Sequence, residues 1–155
     1  MEAHAERVYP EECCGLLVGK IASEGDREPL KSSVKTIALD NEWTPDIAGV
    51  DRPESVSKQR RYWIDSKDML RVQKAARDEG LNIIGIYHSH PDNEAVPSEC
   101  DRAQAWPQYA YVIVSVCNGK AVDIQNWALD SERQFQTEAI RVSPSSARDR
   151  MPVSA

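Results

Sequence analysis

The stretch Asn82-Ile83-Ile84-Gly85-Ile86-Tyr87-His88-Ser89-His90-Pro91, continued by Asp92-Asn93-Glu94-Ala95-Val96-Pro97-Ser98-Glu99-Cys100-Asp101, decides how the rest of the chain is read. Its first half is apolar on both faces, with Ile84 and Ile86 on one and Ile83 and Tyr87 on the other, as expected of a central strand covered on both sides. Two of the chain's three histidines stand at the end of that strand with one serine between them. Successive strand side chains alternate faces and rise ~3.3 Å, so His88 and His90 project from one face about 6.6 Å apart at the backbone. The turn-rich loop that follows leads to Ser98 and Asp101, which share one face of a first helical turn. Two imidazoles and one carboxylate suit catalytic zinc, which keeps one position for water and lowers that water's pKa to about 7.

Such a site needs a proton carrier. Glu12 stands at the mouth of the apolar strand that begins at Cys14 and shares its parity, whereas its rival Glu11 does not. Ser98, left without a ligand role, is available to donate to the oxyanion of a tetrahedral intermediate, typically worth ~3 kcal/mol. Ser98 and Asp101 also carry the pattern of a helix N-terminus, and both roles hold at once. His4, alone in the first helix, reads as an ordinary hydrogen-bonded residue. Cys14 sits in an apolar strand and reads as core, not nucleophile.

The remainder supplies a sheet and its covering helices. Residues 2 to 9 form a short helix stopped at Pro10, and Cys14 to Gly19 pairs with Val34 to Leu39 as a hairpin. Asn41 to Arg61 is aperiodic and rich in proline, glycine and serine, a long loop. A short strand is expected at Tyr62 to Ile64. Asp65 then caps a helix with Met69, Val72 and Ala76 on one face, ending before Gly80. Tyr109 to Cys117 is a second buried strand, joined through Asn118-Gly119, a type I′ signal, to Ala121 to Leu129. The apolar phase of that strand shifts from Val122 and Ile124 to Trp127 and Leu129, which suggests a bulge near Gln125-Asn126. A last strand is expected over Phe135 to Val142, and residues 143–155 read as a disordered tail beyond a single domain at 1–142.

Composition bounds the partners. The 155 residues carry 19 Lys plus Arg against 25 Asp plus Glu, a net charge of −6, with no extended basic block, so nucleic acid is not expected. Neither a leader pattern nor an apolar run of the ~20 residues that span a bilayer occurs, so the expectation is a cytoplasmic protein without a membrane partner. Of Cys13, Cys14, Cys100 and Cys117, three lie in or beside apolar strands and read as small core hydrophobes. No pair is spaced like a zinc knuckle.

Taken together, Pro10-x-Glu12-x-Cys14-Gly15, Gly85-Ile86-Tyr87-His88-Ser89-His90-Pro91 and Pro97-Ser98-x-x-Asp101 resemble the JAMM (MPN-plus) zinc isopeptidases. The short form with Glu-Cys-Cys-Gly and Tyr-His-Ser-His-Pro is similar to the bacterial branch acting on ubiquitin-like sulfur-carrier proteins. The resemblance implies an α/β fold, a mixed curved sheet flanked by helices with a cytidine-deaminase-like outline. It implies one zinc per chain on His88, His90 and Asp101, Glu12 as general acid and base, and Ser98 polarising the scissile carbonyl. Its substrate would be an amide at the C-terminal glycine end of a ubiquitin-like carrier; the alternative is a non-catalytic scaffold of the same fold. The eukaryotic members' second zinc-binding insertion has no counterpart, since only Cys117 and no histidine follows Asp101. Residues 43 to 60 stand where a substrate-facing insertion would fall, without matching it. A zinc deaminase is disfavoured because its Pro-Cys-x-x-Cys element is absent.

Overall fold

The computed structural model describes residues 1–23, 25, 29–48 and 57–143. Along the chain run α1 (Glu2–Val8), β1 (Cys14–Ala22), β2 (Leu30–Leu39), α2 (Pro45–Ala48), α3 (Ser66–Asp78), β3 (Asn82–Pro91), α4 (Glu99–Gln104), β4 (Ala110–Cys117), β5 (Lys120–Leu129) and β6 (Phe135–Glu138). The strands form one six-stranded sheet in the order β2-β1-β3-β4-β5-β6. Only β3 and β4 are parallel, so the sheet is mixed. The parallel pair needs a crossover, and the segment that supplies it carries α4.

Two apolar clusters lie on opposite faces. One joins Val72 and Ala76 of α3 to Cys14, Leu16, Val18, Ile86, Tyr111 and Leu129. The other joins Ala5 of α1 to Cys13, Leu17, Ile84, Tyr87, Val112, Val114 and Val116. Asp65 caps α3 by accepting from Lys67 N at 2.6 Å, and Gly80, at φ 68°, ends it. Among the described residues no helix is long and apolar enough to cross a membrane.

Several expectations are corrected. Leu17 pairs with Gly85 but Val18 pairs with Ile83, so Ile84 is an extra, bulged residue. Ile84 therefore shares the α1 face with Tyr87, and Ile83 shares the α3 face with Ile86. A bulge reverses the alternation beyond it, and here it reassigns Ile83 and Ile84 while the pairing from Gly85 to His88 stays regular. In β5 the bulge is not at Gln125-Asn126, where pairing is regular, but at Val122, between Ser115↔Asp123 and Val116↔Ala121. The apolar phase shift has another cause: Ala121 and Ile124 pack on the α1 face, while Trp127 and Leu129 pack on the α3 face.

Tyr62 to Ile64 forms no strand. Its backbone is held by Glu42 N donating to Trp63 O at 3.0 Å and by Trp63 N donating to the Asn41 side chain at 3.1 Å, too few bonds for a ladder. The loop contains α2, and β6 stops at Glu138 instead of Val142. Cys13 and Cys14 are core, but Cys117, at the hairpin end, is exposed. Asn118 and Gly119 have φ of 49° and 80°, the turn expected of their sequence. The expected tail beyond residue 143 lies outside the described residues.

Candidate metal centre

His88 and His90 leave the end of β3 on the α3 face, and Asp101 reaches them from the first turn of α4. The start of that helix and the aim of its carboxylate have one cause. Ser98 is the N-cap: its Oγ accepts from Asp101 N at 3.2 Å, and Asp101 Oδ2 accepts from Ser98 N at 2.6 Å. This reciprocal capping box satisfies two otherwise orphaned backbone donors. It also holds Asp101 turned back toward the histidines.

The donor atoms converge. His88 Nε2 and His90 Nε2 lie 3.0 Å apart, and Asp101 stands 3.3 Å from His88 Nε2 and 3.6 Å from His90 Nε2. Ligands about 2.1 Å from one tetrahedral ion lie roughly 3.4 Å from each other, so these separations suit a single divalent ion. His90 Nδ1 is 2.8 Å from Glu94 O. That carbonyl can only accept, which puts the proton on Nδ1 and leaves the Nε2 lone pair free for a metal. His88 is fully buried and stacks on Tyr62, ring centroids 4.5 Å apart at 25°. The three residues fit a metal ion as a group.

Each shift follows from its surroundings. Burial pushes the His88 pKa below its ordinary value, against the pull of Asp101, so the ring stays neutral. For His90, burial is outweighed by the bonds to Asp101 and the Glu94 carbonyl, and the pKa rises. Burial alone would raise the Asp101 pKa; the histidines and the Ser98 hydroxyl hold it well below the usual carboxylate range.

Glu12 comes to the same place through the sheet. Cys14 pairs with His88, Cys13 O accepts from Ser89 N at 3.1 Å, and the register carried two residues back puts Glu12 across from His90. Glu12 is buried while Glu11 is exposed. Burial, reinforced by the like charge of Asp101 and opposed by His90 and Arg61, pushes its pKa up to about 8. Glu12, His90 and Ser98 line one open groove of about 670 Å³, with Arg60, Arg61 and Glu94 on its walls. The Ser98 hydroxyl donates to Asp101 Oδ2 at 2.6 Å.

His4 lies elsewhere, its Nδ1 2.9 Å from Tyr87 Oη on the α1 face. The Cys14 thiol is pushed up to about 12 by burial, which leaves it inert. Sequence reasoning missed Tyr62 and Asn41. The Asn41 side chain donates to Glu12 O at 3.1 Å and Arg61 O at 2.8 Å, and accepts from Trp43 N at 3.0 Å and Trp63 N at 3.1 Å. An asparagine in a loop gives no local signal of partners so far along the chain.

Fold and site define a class: mixed-sheet α/β proteins with a His-His-Asp cluster where a central strand meets a helix N-terminus. The family model for prokaryotic homologs of the JAB domain matches residues 1–130, and the chain belongs to that family. It is 31% identical over 107 residues to a protein of Haloferax volcanii named desampylase, covering 68% of this chain and 63% of that one. It is 34% identical over 116 residues to the CysO-cysteine peptidase of Mycobacterium tuberculosis, covering 74% of this chain and 66% of that one. The match thus spans just under two thirds of either relative. A solution structure of a Salinibacter ruber protein superposes with a TM-score of 0.64 at 34% identity, covering 94% of this chain and 86% of that one.

Proposed function

We propose that the protein is a zinc-dependent peptidase or isopeptidase that hydrolyses the amide at the C-terminal glycine of a ubiquitin-like protein of the sulfur-carrier type. The observation that carries the reading is the convergence of His88, His90 and Asp101 at tetrahedral-ligand spacing beside a buried glutamate. The names of the relatives, a desampylase and a CysO-cysteine peptidase, support the substrate class. The four unpaired cysteines suit a reducing cytoplasm.

Zinc, when held by the three ligands, supplies Lewis acidity and lowers the pKa of a coordinated water to about 7. The protein's own groups do the rest. Glu12, across the strand pair from His90, takes the water's proton and returns it to the departing nitrogen. Its raised pKa lets it hold that proton near neutral pH. Ser98 lines the groove, and rotation of its hydroxyl away from Asp101 turns a donor toward the scissile carbonyl oxygen. Burial of Glu12 is unnecessary in a scaffold that only binds partners, which favours catalysis over that reading.

The test uses protein purified without chelator. Elemental analysis is expected to find about one zinc per chain, lost in His88→Ala. Glu12→Gln is expected to keep the metal and lose hydrolysis of a carrier fusion at its C-terminal glycine. A metal-free wild type, or a fully active Glu12→Gln, overturns the reading.

A further inference from the structure

We propose that Arg61, with Arg60 beside it, binds the free α-carboxylate of the residue on the leaving side of the scissile amide, so that the protein removes a single C-terminal amino acid from its carrier. The inference rests on the hydrolase reading above and specifies its substrate.

The argument starts from the bond that breaks. Water oxygen adds to the glycine carbonyl carbon, the C–N bond breaks, and the nitrogen leaves with the proton that Glu12 delivers. If the leaving group is an α-amino acid, its carboxylate is separated from that nitrogen by the α-carbon alone. The group that recognises it must therefore stand next to Glu12. If the leaving nitrogen is a lysine Nζ, only methylenes follow it, and a cation there finds no partner.

Arg60 and Arg61 are the cations at that position. Both line the open groove with Glu12, His90 and Ser98, and both line the small cavity over Glu12, Ser98 and Asp101. Their segment is tied to the glutamate's own backbone. Glu12 N donates to Lys58 O at 2.7 Å, and the Asn41 amide bridges Glu12 O and Arg61 O. Arginine so placed is held in register with the base. Among the described residues neither guanidinium forms an ion pair; the Arg61 guanidinium donates to Arg60 O. The contrast is Arg133, on the apolar groove at the far side of Asp101, whose guanidinium is committed to Arg102 O and Ala105 O. Two guanidiniums beside the proton carrier, without a carboxylate partner among the described residues, match a planar carboxylate.

The experiment uses the zinc-loaded full chain and a ubiquitin-like carrier extended by one alanine beyond its C-terminal glycine. The probe is made with a free carboxyl, as the carboxamide, and with the carrier joined instead to a lysine Nζ. Hydrolysis is followed with wild type and Arg61→Gln, and binding of the same probes to Glu12→Gln and to Glu12→Gln/Arg61→Gln is measured by calorimetry. The free acid is expected to be preferred over the carboxamide through KM by roughly tenfold to a hundredfold. Arg61→Gln is expected to abolish that preference both in KM and in calorimetry, and Arg61→Lys to restore part of it. Cleavage of acid, amide and lysine conjugate with equal KM overturns the inference and leaves the hydrolase standing. Absence of cleavage with Arg61-dependent preference for the acid in calorimetry overturns the hydrolase and leaves the carboxylate site standing. Equal binding of acid and amide overturns the site whatever the turnover.

Discussion

Glu12→Gln in chelator-treated protein probes the buried carboxyl by stability alone. Burial raises the Glu12 pKa from 4.5 to about 8. Below pH 4.5 the group is protonated whether the chain is folded or not, and it costs nothing. Between pH 4.5 and 8 the unfolded chain ionises while the folded one retains the proton, so stability falls as pH rises. Above pH 8 the loss is complete. A shift of about 3.5 units at ~1.4 kcal/mol per unit amounts to about 5 kcal/mol. Glutamine occupies the same volume without the charge and is spared that loss. For a domain of this size each kcal/mol moves Tm by roughly 2–4 °C. Thermal unfolding at matched ionic strength is therefore expected to give Glu12→Gln a Tm about 10–20 °C above wild type at pH 8.5, converging near pH 4.5. His88, buried neutral, destabilises both proteins alike as pH falls through the imidazole range and cancels from the difference. Added zinc places positive charge beside the carboxylate and is expected to shrink the gap. A Tm difference that does not change between pH 4.5 and 8.5 refutes the buried, raised carboxyl.

Two further perturbations address the supports of the site. Asn41→Ala strips hydrogen bonds from four backbone groups and is expected to cost about 2–4 kcal/mol in denaturant unfolding and to lower kcat. Asn41→Asp keeps both acceptor bonds but sets an oxygen against the Glu12 and Arg61 carbonyls, and is expected to be no better; a wild-type kcat in either variant refutes the bridging role. Gly15→Ala places a Cβ 2.4 Å from both Ile37 O and the Tyr87 ring, an overlap expected to destabilise by about 3 kcal/mol. An unchanged unfolding midpoint would show that the β1–β3 approach is looser than described.

Much of the fold was readable because its signals are local. The two-sided apolar run of β3, the capped amphipathic α3 and the Asn118-Gly119 turn each depend on a few adjacent residues. The grouping of His88, His90 and Asp101 was readable for the same reason. A strand sets the His88 and His90 spacing, and a capping box sets Ser98 against Asp101. What escaped was whatever depends on pairing between distant segments. The bulge at Ile84 exists only against β1, so counting parity along β3 alone assigned its isoleucines to the wrong faces. Tyr62 to Ile64 looked like a strand by residue type, yet its neighbours offered a side chain and one backbone bond in place of a ladder.

The sequence by itself therefore determined the kinds of donor atom, their local spacing and the elements that carry them, because backbone geometry within one strand or one helical turn leaves little freedom. The tertiary structure alone decided the rest. The β1–β3 register turns both histidines toward Asp101 and sets Glu12 across from them, burial by elements far apart in the chain pushes that carboxyl up to about 8, and Asn41 brings Arg61 beside it. Solvent exclusion, and contacts between residues tens of positions apart, arise from packing and are not encoded in any one stretch.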